Sequence, residues 1–389
     1  MNNYLGYYTV GTTVFQNKTE AIVHANQTLA EVEWHFNDDV FNKVLWTQEP
    51  TLSLEQFYKM RAQQIREKYD YIVVMASGGA DSTNVIYSFL NNGIAIDEIV
   101  ASAPISGLRD WNNNDVDNST ENAISETKYA QMPLMNDIAS HFPNVKLTLN
   151  DYFEDMLHYE SGEWLYKSSD WIHPTTVARY SLEKFKHLKD MAEAGKKIGI
   201  VYGIDKPSLA VDDAGDLFLV IADAACNVQR PAFKKEYTNV ENVLFYYSPD
   251  LPQLLAKQAH VVAKWIHLPE NANAKQYLGH LGPVTSFEKN RVRQSNWEKS
   301  IIPCIYPGTV RKVFQGHKSI RMFFAAHDQW FYKHHSGTMA YQMIDSDFRS
   351  FIKVIDNKYL NLKRTAFNVF RKTYRIGKVS DFQILKSPA

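Results

Sequence analysis

Cysteine is scarce. The 389 residues hold two, Cys226 and Cys304, and neither sits in a C-x-x-C pair. Two isolated cysteines build no disulfide framework, and such scarcity suits a reducing compartment. Long apolar runs are missing too: none approaches the roughly 18 residues of a membrane span. The start, MNNYLGYYTV, has no positive region followed by an apolar stretch, so no signal peptide is expected. Charge excess is absent, with 42 Lys and Arg against 43 Asp and Glu and a formal net charge of -1. That excludes a globally basic nucleic-acid binder, though not a local basic face. No repeat of 20–50 residues and no low-complexity segment occurs. The expectation is a soluble, cytoplasmic protein of two or three domains.

What is present is the composition of a folded chain. Hydrophobic residues make up 45% and charged residues 22%, which argues against disorder. Aromatics reach 13%, with 22 Tyr and 21 Phe, ample for large cores.

The patterning predicts an α/β organisation. Residues 7–10 and 13–15 are β-prone around Gly11, and helical spacing runs from Lys18 to Phe36. Ser53-Leu54-Glu55-Gln56 fits a capping box opening a helix. That helix leads into the apolar run 69–76, which reads as a buried parallel strand. A Gly-rich turn, Ser77-Gly78-Gly79-Ala80-Asp81-Ser82-Thr83, follows. Next comes a helix with Val85, Ile86, Phe89 and Leu90 inward, closed by Asn91-Asn92-Gly93, then a strand over 97–103. This is a strand–loop–helix–strand unit of a doubly wound, mostly parallel sheet. Residues 110–121 read as an exposed polar loop, 145–149 and 198–202 as further strands, and 175–194 as helical. From Asn227 onward the pattern is mainly helical, with an amphipathic helix from Pro252 to His267 and a polar connection over 268–300. The expected division is an N-terminal α+β extension (1–65), an α/β domain (66–225) and a mainly helical substrate-binding region (226–389).

The turn after the first parallel strand carries the most chemistry. Two glycines remove Cβ atoms and permit unusual backbone angles. Backbone N–H groups can then cradle an anion, and the following helix adds its free amides and positive dipole end. Ser77 and Ser82 can donate to phosphate oxygens. Asp81 beside phosphate is unfavourable unless a cation such as Mg²⁺ lies between them. The loop is no Walker A motif, since the lysine is missing, and no Rossmann fingerprint, since G-x-G-x-x-G spacing is missing.

It resembles the SGGxDS loop of the N-type ATP pyrophosphatases, the PP-loop enzymes related to adenine nucleotide alpha hydrolases. That family includes the synthetase half of asparagine synthetase, GMP synthetase, argininosuccinate synthetase, tRNA thiolases and PAPS reductases. The resemblance covers residues 69–103 closely and extends to 225 more loosely. It implies a HUP-type sheet, ATP and Mg²⁺. It also implies a reaction in which a substrate oxygen is adenylated, pyrophosphate leaves and an amine displaces AMP. By match, Ser77, Gly78, Gly79, Ala80, Asp81, Ser82 and Thr83 would hold pyrophosphate and Mg²⁺. Adenine would lie near Ala101 and Ser102. The odd N-terminal extension joined to a helical C-terminal part resembles a viral or phage branch, whose compartment would be the host cytoplasm.

Other groups carry weaker signals. Asp205 and Lys206 follow the 198–202 strand, where parallel sheets bind ligands. Asp205 is a candidate for a second Mg²⁺, and Lys206 a candidate for neutralising phosphate charge; a Pro-terminated turn is the plain alternative. His173 and Arg179 could grip an anion beside a helix capped by Thr175 or Thr176. Lys257, His260, Lys264 and His267 recur as a basic stripe on the amphipathic helix, more often a solvated face than a binding one. The segment 246–250, rich in Tyr, is a candidate pocket wall. His317, His327, Asp328, His334 and His335 lack convincing zinc spacing. The basic stretch 349–375 could touch nucleic acid, but a charged surface helix is favoured.

The leading expectation is an ATP-dependent, AMP-forming ligase that makes an amide or C–N bond on a small-molecule or nucleobase-type substrate. A PP-loop sulfurtransferase or PAPS reductase-like enzyme is the second, disfavoured because both cysteines stand alone in apolar surroundings. A non-catalytic nucleotide-binding or nucleic-acid-associated protein is the third. With Asn2 at the second position and no cysteine before Cys226, a built-in glutaminase is not expected, so the amine would arrive free or from a partner.

Overall fold

A computed structural model describes residues 6–16, 18–103, 105–106, 126–152, 181–223, 232–233, 235–281, 297–307 and 370–382. The centre is a five-stranded parallel sheet of β4 (Tyr71–Ala76), β5 (Glu98–Ala103), β6 (Lys146–Asp151), β7 (Ile198–Tyr202) and β10 (Val240–Leu244). Their order is β10-β7-β4-β5-β6. Chain order therefore reverses between β4 and β7, which is the Rossmann-like arrangement. The three inner strands are almost wholly buried, which explains their unbroken apolar runs.

α3 (Leu54–Lys68) opens with the expected capping box: the Ser53 side chain accepts from the Gln56 amide, and the Gln56 side chain accepts from Ser53 N. Its buried face includes Phe57, Tyr58 and Ile65. α4 (Ala80–Leu90) follows β4 directly and sinks Val85, Ile86 and Phe89 completely. Each such side chain contributes roughly 1.5–3 kcal/mol when fully buried. Gly93, at φ 67, ends this helix with a left-handed turn, as glycine can. A π-helical turn, Thr127–Gln131, leads into α5 (Met132–His141), and α6 (Lys186–Glu193) precedes β7.

Two smaller sheets flank the parallel one. β1 (Tyr7–Val10), β2 (Thr13–Phe15) and β3 (Val32–His35) form an antiparallel sheet in the order β2-β1-β3, covered by α1 (Lys18–Thr28) and followed by the one-turn helix α2 (Asp38–Phe41). The helical spacing from Lys18 does not continue to Phe36: α1 stops at Thr28, Leu29 turns left-handed at φ 53, and Val32 starts a strand. β8 (Ser208–Val211), β9 (Asp216–Ala222), β11 (Gly279–His280) and β12 (Arg371–Lys378) form the other, ordered β11-β8-β9-β12. The two flanking sheets are joined by a buried ion pair at 2.5 Å between Lys18 and Asp223, to which the Tyr8 hydroxyl also donates at 3.0 Å.

The described residues after 226 include strands as well as helices. β10, β11 and β12 all come from this region, and β10 completes the parallel sheet past the expected boundary at 225. α7 (Pro252–Ile266) is present as predicted, and 297–305 is helical. The basic 371–375 segment is strand, not helix: alternation lets Lys372 reach Asp38 and Arg375 reach Asp216, so charge there is spent in ion pairs. The stripe on α7 is not a solvated face. His260 and His267 are buried beside Phe382, bonded to the Trp46 and Ala263 carbonyls, and burial lowers both imidazole pKa values. Lys257 and Lys264 bind Glu49. Among the described residues no helix is long and apolar enough to cross a membrane.

Candidate functional site

The reversal between β4 and β7 opens a crevice at the carboxyl ends of the strands, the usual ligand position in open parallel sheets. The Ser77–Thr83 loop and the Gly203–Pro207 segment leave these two strands side by side. A cleft of about 80 Å³ lies there, lined by Ser77, Ser82, Ser102, Tyr202, Gly203 and Ile204 among others.

Gly78 sits at φ +70, and a Cβ there would meet the Ala130 carbonyl carbon at 2.4 Å, so only glycine fits. Gly79 is the N-cap of α4, with no side-chain cap on the helix amides. The loop holds itself together through its hydroxyls. Ser82 Oγ receives the Ser77 amide at 3.2 Å and donates to the Gly79 carbonyl, while Ser77 Oγ receives the Gly79 amide. Ser77 and Ser82 thus border the cleft with their oxygens already shaping the turn. Ala80 and Thr83 are buried in α4.

Asp81 is the centre of the polar group. Its Oδ2 pairs with Lys206 Nζ, its Oδ1 accepts from the Tyr306 hydroxyl at 2.6 Å, and its backbone carbonyl accepts from Tyr246 at 3.0 Å. Lys206 is 8% exposed. Desolvation works against its charge, but Asp81, Asp205 and Glu298 outweigh it and raise its pKa. Asp205 keeps a third of its side-chain surface accessible, with Oδ1 3.8 Å from Lys206 Nζ and accepting from the Lys206 amide. Burial, with the charges of Glu298 and Asp81, outweighs the nearby Lys206 charge and pushes the Asp205 carboxyl up to about 7. Asp81 thus contacts the ammonium, Asp205 lies 3.8 Å from it, and the charge of Glu298 acts on both.

Behind Asp81 stand Tyr58, Tyr246 and Tyr306, with ring centroids 5.6–6.2 Å apart. Burial, with the Asp81 charge, raises all three phenols far above their ordinary value, so they remain donors. Asn84 on α4 donates to Tyr246 at 2.9 Å.

The strand ends beside the loop are tied by Gln131, which is fully buried. Its amide nitrogen donates to the carbonyls of Ala76 (3.3 Å) and Ser102 (3.2 Å). Asn150 donates to Ser102 Oγ at 3.2 Å. Of the two residues expected near a base, Ser102 lines the cleft and Ala101 is buried within the sheet.

Ser77, Gly78, Gly79, Asp81, Ser82, Ser102, Asp205 and Lys206 thus gather in one place. Of the segment 246–250 expected as a pocket wall, Tyr247, Ser248, Pro249 and Asp250 line a separate small cavity with Arg61 and Leu244, while Tyr246 reaches the loop backbone. Tyr306, Gln131 and Glu298 carry no local signal in the sequence. His173, Thr175, Thr176, Arg179, Cys226, the 110–121 loop, the histidines from His317 to His335 and residues 349–369 lie outside the described residues. Among the described residues no group of three or more His, Cys, Asp or Glu has the geometry of a bound metal. Asp81 and Asp205 do offer oxygen donors of the type a hard divalent cation takes, and a cationic group already rests on Asp81.

The chain matches no protein-family profile and no curated protein sequence.

Proposed function

We propose that the chain is an ATP-splitting enzyme of the PP-loop type that joins two substrates through an adenylate. The observation that carries this reading is the convergence of Asp81, Asp205 and Lys206 on an SGGxDS loop at the reversal of a parallel sheet.

In this reading an oxygen of the acceptor attacks the α phosphorus of ATP. The bond to the β phosphate oxygen breaks, and pyrophosphate leaves with its electron pair. An amine then attacks the adenylated carbon, AMP departs, and the amine proton passes to solvent. The uncapped amides of α4 and their dipole suit the pyrophosphate. Lys206 places a positive charge where negative charge is released. Asp81 and Asp205 would hold Mg²⁺, which when bound supplies further positive charge against the phosphate oxygens. Ser102 at the cleft wall would lie beside the base.

Cys304 does not suit sulfur transfer. Burial pushes its thiol up to about 12, so little thiolate forms at neutral pH. An amide or C–N ligase therefore stands ahead of a thiolase or reductase.

The test is to incubate the protein with ATP, Mg²⁺ and a panel of carboxylate, carbonyl and nucleobase acceptors, each with an amine donor. The expected products are pyrophosphate and AMP. ADP and phosphate alone, or no binding of Mg²⁺ and ATP by calorimetry, would overturn the reading.

A further inference from the structure

Both carboxylate oxygens of Asp81 are engaged from within the chain. Lys206 holds one and the Tyr306 hydroxyl the other. An ammonium and a divalent cation compete for the same negative charge, and each repels the other at short range. Lys206 is 8% exposed, and among the described residues the other carboxylates acting on it are Asp205 and Glu298. A cation arriving alone would leave the lysine crowded against a second positive charge. An arriving phosphate changes this balance by giving the ammonium a new partner.

The surroundings limit what can move. The Lys206 carbonyl accepts from Tyr247 at 2.8 Å, and the Pro207 carbonyl accepts from Trp297 at 3.0 Å. The backbone is thereby pinned at and after Lys206, which leaves the side chain to swing. Tyr306 is fixed by its neighbours: Ile301 and Ile305 are fully buried, and the Ile305 carbonyl accepts from Tyr58. Its hydroxyl keeps the Asp81 carboxylate in place while the lysine leaves.

We propose that Lys206 and Tyr306 form an interlock, in which the lysine stands in for the cation on Asp81 until a pyrophosphate group draws it away. Tyr306 is a positioning residue that presents the freed carboxylate. A divalent cation then binds together with the anion and not before it. This inference rests on the nucleotide reading above.

The experiment uses the full chain, with Mn²⁺ followed by electron paramagnetic resonance and pyrophosphate followed by calorimetry. Wild type should bind Mn²⁺ at least tenfold more tightly with pyrophosphate than without it. Lys206→Met should bind Mn²⁺ alone at least tenfold more tightly than wild type does. Tyr306→Phe should weaken Mn²⁺ binding severalfold in the presence of pyrophosphate and keep the dependence on it. Amine-labelling footprinting of wild type gives a readout that needs no variant to fold: Mn²⁺ alone should leave Lys206 labelling unchanged, and Mn²⁺ with pyrophosphate should change it. Wild type binding Mn²⁺ equally well with and without pyrophosphate, a folded Lys206→Met that gains no affinity for Mn²⁺ alone, or exposure of Lys206 by Mn²⁺ alone overturns the interlock and leaves the nucleotide reading standing. Failure of pyrophosphate to bind with or without Mn²⁺ removes both.

Discussion

Gly203 lies against Asp81 at the start of α4. A Cβ on Gly203 would sit 2.8 Å from the Asp81 carbonyl carbon and 2.8 Å from the Ser82 nitrogen. The β7 segment and the loop helix touch backbone to backbone, where neither can yield as a flexible side chain would. Gly203→Ala should therefore destabilise the fold by about 1–3 kcal/mol, the usual cost of overpacking. It should also weaken pyrophosphate binding, because the added methyl pushes at the first turn of α4. Thermal denaturation and calorimetry check both, and a variant with unchanged melting and binding would remove the claim of close contact.

Gln131 joins the ends of β4 and β5 from a fully buried position. Gln131→Met keeps the side-chain length and loses both donated bonds. The Ala76 and Ser102 carbonyls lose a donor, a cost of about 1–3 kcal/mol for buried polar groups. Urea unfolding should report this loss, and nucleotide affinity should fall with it. A variant as stable as wild type would show that the two carbonyls find other donors.

Asp81→Asn is the better probe of the loop than Asp81→Ala. Alanine strands a nearly buried ammonium, and breaking a buried pair costs about 3–5 kcal/mol. Asparagine keeps one oxygen, which can accept from either Tyr306 or Lys206, while removing the charge. It should abolish pyrophosphate release from ATP with less loss of melting temperature than alanine. Full activity in Asp81→Asn would dismiss the carboxylate from the reaction.

Glu98 gives a pH signature at the opposite end of β5. Burial pulls its carboxyl up, but the Thr148 hydroxyl, His187 and Lys146 outweigh that and lower the pKa overall. The folded state then takes up the proton less readily than the unfolded chain. The contribution is complete above the ordinary glutamate pKa of about 4.3 and is lost as pH falls through the lower folded value. Glu98→Gln should be less stable at neutral pH and flatter in acid, as read by denaturant melts from pH 3 to 7. Parallel curves for the two proteins would rule this out.

Asp205 works in the other direction. Its carboxyl, raised to about 7, holds a proton in the folded state between the unfolded aspartate pKa of about 3.9 and about 7. Stability therefore falls as pH rises across that window, and Asp205→Asn should remove the slope. The free protein, melted from pH 4 to 8, is the sample to use. A wild-type profile that rises over the same range would contradict the assignment.

The parallel sheet and its loop were legible because their causes are local. An apolar run, two glycines and a helix with inward Val85, Ile86 and Phe89 lie within 20 or so consecutive residues. Tyr306 could not be read, since it reaches Asp81 from 225 residues along the chain and a single tyrosine has no pattern. Gln131 was hidden for the same reason. The basic stripe on α7 misled because an imidazole is amphipathic: His260 satisfies a carbonyl and packs on Phe382, so it fits the buried side as well as the wet one. Val32 extended an apolar spacing that the left-handed Leu29 had already broken. Strand pairing of 371–378 depended on β9, more than 140 residues earlier, and basic composition said nothing of it.

Lys206 belongs to the short connector between β7 of the parallel sheet and β8 of the flanking one. β8 is carried by β9, and β9 by β12, whose Tyr374 stacks on Trp46 at a 4.8 Å ring separation. The connector therefore has one end in each sheet, so the ammonium over Asp81 is positioned by both sheets at once.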